Sequence, residues 1–272
     1  MKQASMLMVI AIAFGATASS AQDVPASGDD AVQRLDASPR HGEWIRYAAG
    51  GGDSVSAWVV YPEREDAAPV VIVIHEIFGL TDWIRGVADQ LAAAGFVAIA
   101  PDLLSGKAPD GAGTAGFDQQ GAVRAIRELN RDEVIRRLNA AAEYATGLPS
   151  TTSAFAAIGF CWGGSTTFQY ATRQPGLGAA VVYYGSAPDG GYEQIAAPVL
   201  GLYGGDDARV NATIPAAREA MQRLDKRYET EVYDGAGHGF LRAQGSREAN
   251  LAAAREAWPR MVMFLKEALE AK

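Results

Sequence analysis

The segment Gly159–Gly164 places the single cysteine of the chain, Cys161, between closely spaced glycines. The apolar run Ala154–Ile158 before it is typical of a buried strand, and Ser165–Arg173 after it has the pattern of a starting helix. A Gly-x-nucleophile-x-Gly motif between strand and helix is a nucleophile elbow, a strained turn for which glycines make room. Free N–H groups and the dipole at the helix N-terminus should favour the thiolate. The motif therefore predicts a nucleophilic thiol, and the alternative is an inert, buried structural cysteine.

The first 21 residues have the pattern of a signal peptide. A lysine near the start is followed by an apolar run from Met6 to Phe14 and by small residues up to Ala21. Cleavage after Ala21 fits best, and cleavage after Ala18 is the alternative. Because the apolar run is too short to anchor the chain in a bilayer, we expect a periplasmic or secreted protein with no membrane attachment after cleavage. The competing interpretation is a cytosolic protein with an apolar start.

Length and charge narrow the classes of function. After a polar segment at 22–42, which we expect to be a flexible leader, residues 43–272 suit one large α/β domain with an ample apolar core. The formal net charge of −8 disfavours nucleic-acid binding, and no basic amphipathic helix indicates a membrane surface. We expect a monomer that acts on a small molecule. One cysteine cannot form an internal disulfide, which suits a chemical use for the thiol.

Strands and helices alternate along the chain, which predicts a mostly parallel central sheet with helices on both faces. Strands are predicted at 43–47, 55–61, 70–74, 96–100, 154–158, 179–184, 199–203 and 229–233. Helices are predicted at 82–94, 131–146, from 165, at 215–224 and at 250–270, with a long surface loop at 105–120. In such sheets functional residues gather at the carboxyl ends of strands, where Glu76, Cys161, Asp207 and His238 are expected.

A thiol nucleophile needs a base, and the base needs an acid to orient it. Of the three histidines, His238 follows a strand in a glycine-rich loop and is the best candidate, whereas His41 lies near the leader and His75 adjoins a buried strand. Two neighbouring aspartates could be the acid, and we prefer Asp207 to Asp206. The chain order of nucleophile, acid and histidine is that of α/β-hydrolases.

Acyl transfer also requires donors for the developing oxyanion. The N–H of Trp162, directly after the nucleophile, should supply one, and the turn after strand 70–74 should supply the other, from Ile77. Glu76 is unexpected beside such donors, because its carboxylate would repel the negatively charged intermediate. Its presence there therefore suggests a functional role of its own. The alternative is an ordinary acid that is solvated or lies at a helix N-terminus.

Five segments together resemble the dienelactone hydrolase family, over a span from about residue 43 to the C-terminus. They are VIHEIFG at 73–79, APDL at 100–103, GFCWGG at 159–164, YGGDD at 203–207 and GHGF at 237–240. The resemblance implies an α/β-hydrolase fold and hydrolysis of small lactones or esters through an acyl-enzyme. It also implies a triad of Cys161, His238 and Asp207.

The resemblance assigns further residues to the site. It implies that Glu76 contacts the resting cysteine, keeps it protonated and takes its proton when substrate binds. Arg242 matches an arginine that receives the substrate carboxylate, and Phe78 of the Glu-Ile-Phe-Gly segment is assigned to substrate binding. The second family arginine is missing, and Lys107 stands near its place as a substitute point charge.

Two rival functions remain at this stage. One is a carboxylesterase with broader specificity, and the other is a catalytically silent, exported binding module on the same fold. A metal site is not expected because the three histidines lie far apart in sequence, and no phosphate-binding fingerprint suggests a nucleotide cofactor.

Overall fold

The computed structural model of the chain describes residues 24–270, so the predicted signal peptide lies outside the described residues. An eight-stranded sheet runs through the molecule in the order β1-β2-β4-β3-β5-β6-β7-β8. Its six strands from β3 to β8 are mutually parallel, and β1 and β2 add an antiparallel hairpin at one edge. The strands are β1 Gly42–Ala48, β2 Ser54–Val60, β3 Ala68–Ile74, β4 Val97–Pro101, β5 Thr151–Phe160, β6 Ala179–Tyr183, β7 Val199–Gly204 and β8 Tyr228–Tyr233. The predicted mostly parallel sheet is confirmed.

Helices cover both faces of the sheet. They are α1 Ala31–Asp36, α2 Asp82–Ala93, α3 Gln119–Glu128, α4 Arg131–Thr146, α5 Trp162–Ala171, α6 Ala208–Asn211, α7 Ile214–Arg223 and α8 Glu248–Glu270. Strand β3 shows why helices pack on both faces of the sheet, because its side chains are apolar on both. Val71 and Val73 belong to an apolar cluster with residues of α2 and α8, whereas Val70 and Ile72 belong to another with residues of α4, α5 and α7. A continuous apolar strand of this kind is typical of a parallel sheet buried on both faces.

Helix α3 was not predicted. The sequence indicated a surface loop at 105–120, but the chain becomes helical at Gln119. Asp118 caps this helix, since its Oδ1 accepts the N–H of Gly121 at 2.6 Å. Gly121 in the first turn weakens the helical signal, and the apolar contacts of Ile126 with Leu104 compensate for it.

The described part of the leader is packed against the domain, so the expectation of a flexible segment at 22–42 is corrected for residues 24–42. Helix α1 lies on α2, the indole N–H of Trp83 donates to the carbonyl of Ala26 at 3.1 Å, and Arg40 forms an ion pair with Asp89 at 2.6 Å. The anchors are backbone carbonyls and isolated polar side chains, which leave no periodic pattern in the sequence.

No helix within residues 24–270 is both long and apolar enough to cross a membrane.

Candidate active site

The chain turns sharply between β5 and α5, and Cys161 sits at the bend with φ +57°. Two glycines make this turn feasible. A Cβ at Gly159 would lie 2.1 Å from the carbonyl oxygen of Gly163, and a Cβ at Gly163 would lie 2.3 Å from that of Ile74. The strand, strained turn and helix indicated by the glycine pattern are therefore present, with the sulfur at the helix N-terminus.

Neighbouring groups shift the pKa of the Cys161 thiol in opposite directions. Burial raises the pKa of Cys161, and the negative charge of Glu76 raises it further. Hydrogen bonds from the backbone N–H groups of Trp162 and Ile77 act in the opposite direction, as does the positive charge of Arg209. The net pKa is raised, so the expectation that the helix terminus favours the thiolate is wrong for the resting site. The N–H donors act in the expected sense, but burial and the neighbouring carboxylate outweigh them.

His238 is oriented by Asp207. The imidazole Nδ1–H donates to Oδ2 of Asp207 at 2.5 Å, and the carboxylate also accepts the N–H of Val210 at 3.4 Å. The Asp207 side chain is 7% exposed, whereas Asp206 is 57% exposed and pairs with Arg247 at the surface. The structure thus brings Asp207, and not Asp206, to the histidine.

The other two histidines are engaged elsewhere. His75 is fully buried, its Nδ1–H donates to the carbonyl of Glu76 at 2.8 Å, and its Nε2 accepts the N–H of Leu103 at 3.3 Å. Burial lowers the pKa of His75 and keeps it neutral, as a ring stacked on Trp162. His41 is largely exposed and lies beside Glu43.

The sheet order brings the site residues to one edge. Cys161, Asp207 and His238 follow β5, β7 and β8, and β6 lies between β5 and β7. The end of β6 connects them. The N–H of Cys161 donates to the carbonyl of Tyr183 at 3.1 Å, and the next ring, Tyr184, meets the His238 ring edge-on at 5.3 Å.

Glu76 is buried in the turn between β3 and α2, so it is neither solvated nor at a helix N-terminus. Its Oε2 lies 2.8 Å from Nε of Arg242, with the N–H pointing off the oxygen, so the contact is an ion pair without an aligned hydrogen bond. Burial raises the pKa of Glu76 to about 7, against the opposing effect of Arg242. The Arg242 guanidinium also lies over the Phe78 ring, 5.1 Å from its centre. Glu76 can therefore gain or lose a proton near neutral pH.

Substitution of Glu76 by glutamine should change how stability depends on pH. Because the folded-state pKa of about 7 exceeds the ordinary 4.5, the stabilising contribution is fully present below pH 4.5 and is lost as the pH rises through 7. Glutamine stays neutral, so the free energy of unfolding of Glu76→Gln relative to wild type should rise by about 3 kcal/mol from pH 4.5 to pH 8. Urea unfolding of both proteins across this range measures the difference, and parallel pH profiles would count against a buried, titrating Glu76.

Lys107 is engaged away from this group. Its Nζ lies 2.7 Å from a carboxylate oxygen of Glu133 on α4, and Glu133 also pairs with Arg137. The charge of Lys107 is compensated before any substrate arrives, so the structure does not support the expectation that it replaces the missing arginine. Arg209 was not predicted as a site residue, yet it directly precedes Val210 in α6 and its charge acts on the Cys161 sulfur. Its place two residues after Asp207 was the available signal.

A cavity of about 450 Å³ opens beside Arg242 and Phe78. The leader supplies one wall of it through Gly28, Asp29 and Val32. The amide of Gly28 donates to the carbonyl of Arg242 at 2.8 Å, so the leader is bonded directly to the segment that carries Arg242. Within residues 24–270, no group of three or more His, Cys, Asp or Glu side chains is placed to hold a metal ion.

A parallel sheet with an elbow after β5, an acid after β7 and a histidine after β8 defines an α/β-hydrolase. The sequence pattern of the dienelactone hydrolase family matches residues 55–269. The chain belongs to this family, and it is a hydrolase.

Relatives agree with this assignment. A Salmonella typhimurium protein named "Putative carboxymethylenebutenolidase" is 33% identical over 230 residues, which cover 79% of this chain and 84% of that protein. A Klebsiella pneumoniae structure titled "Putative Dienelactone Hydrolase" is 28% identical, with a TM-score of 0.72, and the match covers 83% of this chain and 98% of that one. A dienelactone hydrolase-like promiscuous phosphotriesterase from metagenomic libraries is 26% identical with a TM-score of 0.72, and the match covers 84% and 98% of the two chains.

Proposed function

We propose that this chain is an exported, cysteine-dependent hydrolase of small lactones and carboxylic esters. The observation that carries the proposal is that Cys161, Asp207 and His238 all follow strands at the same edge of the sheet. At that edge lie a thiol with two N–H donors and, on the loop after β8, His238 held against a buried Asp207. Nucleophile, oxyanion donors, base and orienting acid are the parts that acyl transfer requires.

The resting enzyme holds a protonated thiol next to Glu76 and Arg242. When the carboxylate of a substrate binds Arg242, Glu76 loses its counter-charge and takes the S–H proton. The thiolate then adds to the carbonyl carbon while the N–H groups of Trp162 and Ile77 hold the oxyanion. The C–O bond breaks, and the proton held by Glu76 ends on the leaving oxygen.

Water completes the cycle. His238 takes a proton from water, and the hydroxide adds to the acyl carbon. The C–S bond breaks, and the imidazolium returns its proton to the sulfur, so the resting thiol is restored. Asp207 keeps the imidazole in the tautomer that accepts at Nε2 and stabilises the imidazolium.

The substrate class follows from Arg242 and its surroundings. Arg242 offers a planar fork to a carboxylate, and Phe78 beneath it offers an apolar face. With Lys107 paired to Glu133, Arg242 is the cation assigned to the substrate carboxylate, which favours a monoanionic lactone or ester. Relatives named as carboxymethylenebutenolidases support a lactone. Turnover of an anionic lactone against a neutral aryl ester tests this choice, since faster turnover of the neutral ester favours a broad carboxylesterase.

Export remains a proposal that rests on residues 1–21. A thiol kept protonated by burial and by Glu76 suits an oxidising compartment, because the thiolate is the form that oxidises readily. Fractionation of expressing cells, with N-terminal sequencing of the mature chain, tests it. A mature N-terminus at Gln22 supports export, and an intact Met1 in the cytosol contradicts it.

Replacement of Arg242 by alanine should raise KM for a carboxylate-bearing ester by about tenfold or more, relative to a matched neutral ester. The matched neutral ester lacks the carboxylate, so the ratio of the two KM values reports carboxylate binding. Arg247→Ala, which removes a surface arginine paired with Asp206, is the matched control. An equal rise for both esters would contradict the role of Arg242.

A further inference from the structure

Tyr184 follows β6 and is fully buried, and its hydroxyl has no hydrogen-bond partner among residues 24–270. The preceding residue shows how such a group is ordinarily satisfied, since the hydroxyl of Tyr183 donates to the carbonyl of Ala257 at 3.2 Å. Buried polar groups are nearly always hydrogen-bonded, because losing water without a replacement is unfavourable. A buried hydroxyl without a partner therefore points to a partner that arrives in another state of the site.

The backbone at Tyr184 is strained as well. Its φ of +40° lies in the left-handed region, which bulky residues avoid. Strain of this kind persists where the surrounding structure imposes it, and it gathers at functional sites. The next residue packs tightly, because a Cβ at Gly185 would lie 2.3 Å from the backbone of Gly164 in α5. The elbow helix thus packs against the turn that contains Tyr184.

Tyr184 borders the groups of the proposed proton transfer. The Tyr184 ring contacts the His238 ring edge-on at 5.3 Å. Burial raises the pKa of Tyr184 well above its ordinary value, the negative charges of Glu76 and Cys161 raise it further, and Arg242 lowers it. Tyr184 is therefore close enough to all three groups to respond to their charges.

We propose that Tyr184 is a positioning residue, whose hydroxyl donates a hydrogen bond to Glu76 when substrate draws Arg242 away. This inference rests on the proposed function. In the resting site Arg242 compensates the buried Glu76 carboxylate at 2.8 Å. Once that charge is engaged by substrate, the buried Glu76 becomes a stronger base and is no longer held in place by the guanidinium. The unpartnered Tyr184 hydroxyl is a buried donor free to hold one carboxylate oxygen, so that the other can face the thiol.

The step that Tyr184 assists is a plain proton transfer. The S–H bond of Cys161 breaks, an O–H bond forms on one carboxylate oxygen of Glu76, and Tyr184 keeps its own proton while it donates to the other oxygen. The hydroxyl thereby holds Glu76 in the orientation that accepts the thiol proton. No redox change or further reactant is involved.

Tyr184→Phe tests this role, because it removes the hydroxyl and keeps the ring. The thermal midpoint should stay equal or rise, since an unsatisfied buried group is lost. The acylation burst with a chromogenic, carboxylate-bearing ester should slow by about 10- to 100-fold, the range for a lost hydrogen bond to a charged group. Alkylation of Cys161 by iodoacetamide in the free enzyme should proceed at the wild-type rate, because the hydroxyl has no partner in the resting site.

Tyr170→Phe is the matched control. Tyr170 is also fully buried, in α5, and its hydroxyl also has no well-aligned hydrogen bond within the described chain, although the nearby Gln174 side chain acts to lower its pKa. Its removal should affect the thermal midpoint in the same direction and leave acylation within about twofold of wild type.

Three results would overturn the inference. They are a wild-type burst in Tyr184→Phe, an equal slowing in Tyr170→Phe, or slower alkylation of the free Tyr184→Phe enzyme. Each of them leaves the proposed function intact, because that function depends on Cys161 and is tested by its removal.

Discussion

Cys161→Ala should lower kcat for ester hydrolysis by at least about 10⁴-fold, because loss of the nucleophile from a catalytic triad removes the covalent route. The fold should survive. The side chain is partly exposed at a turn, and the backbone bonds of the elbow, from the N–H of Cys161 to Tyr183 and from the N–H of Ser165 to Cys161, do not involve the sulfur. Steady-state kinetics and circular dichroism of the purified variant measure both properties.

Cys161→Ser separates a thiol requirement from a simple need for a nucleophile. The site keeps the proton on the sulfur until Glu76 accepts it, and a serine hydroxyl is a much weaker acid than a thiol. We therefore expect the serine variant to retain little activity. Unchanged turnover in the alanine variant would remove the proposed mechanism, and a silent binding module would show no turnover in the wild type either.

Asp207→Asn should reduce kcat/KM by about 10³- to 10⁴-fold, through loss of the correct His238 tautomer and of the charge that stabilises the imidazolium. The bond concerned is the 2.5 Å contact between Nδ1 of His238 and Oδ2 of Asp207. An amide offers the imidazole an N–H as readily as an oxygen, so the ring is no longer held in one form.

The neighbouring aspartate provides the control for this prediction. Asp206→Asn changes the charge by the same amount one residue away, but it disturbs an exposed ion pair with Arg247. Its kcat/KM should stay within about twofold of wild type. Equal losses in the two variants would show that the effect comes from the net charge of the loop and not from the contact with His238.

The regular elements could be predicted from the sequence because each is governed by local patterning. Helix α4 spans Arg131–Thr146 as predicted, since its apolar positions repeat at helical spacing and Asn130 caps it. Helix α8 runs through Pro259 as predicted. The leader could not be predicted, because it is held by contacts with residues distant in the sequence, such as Trp83 and Asp89.

In the candidate site, too, the features set by local sequence could be predicted and those set by distant residues could not. The elbow is a local motif, and the glycines around Cys161 revealed it. The electrostatic state of the thiol is not local, because it depends on burial and on a carboxylate contributed by the turn after β3, which outweigh the helix terminus. The choice between Asp206 and Asp207 likewise required the loop after β8, which pairs one with His238 and the other with Arg247.

Tyr184 carries no sequence signal at all. Its apolar neighbours predict that it ends the strand at 179–184. The structure ends β6 at Tyr183 and turns Tyr184 into the left-handed region. A buried hydroxyl without a partner is visible only in the folded structure. Residues of this kind are found by checking whether each buried polar group has a hydrogen-bond partner, and not by searching for motifs.

The covalent intermediate offers the most direct test of the central claim. Wild-type enzyme mixed with an activated ester and quenched in acid within milliseconds should carry one acyl group, located by peptide mass spectrometry on the segment that contains Cys161. Because the chain has one cysteine, a thioester can form at that position alone. An acyl group found on a hydroxyl such as Ser165, or turnover with no acyl-enzyme at any quench time, would contradict a thiol nucleophile.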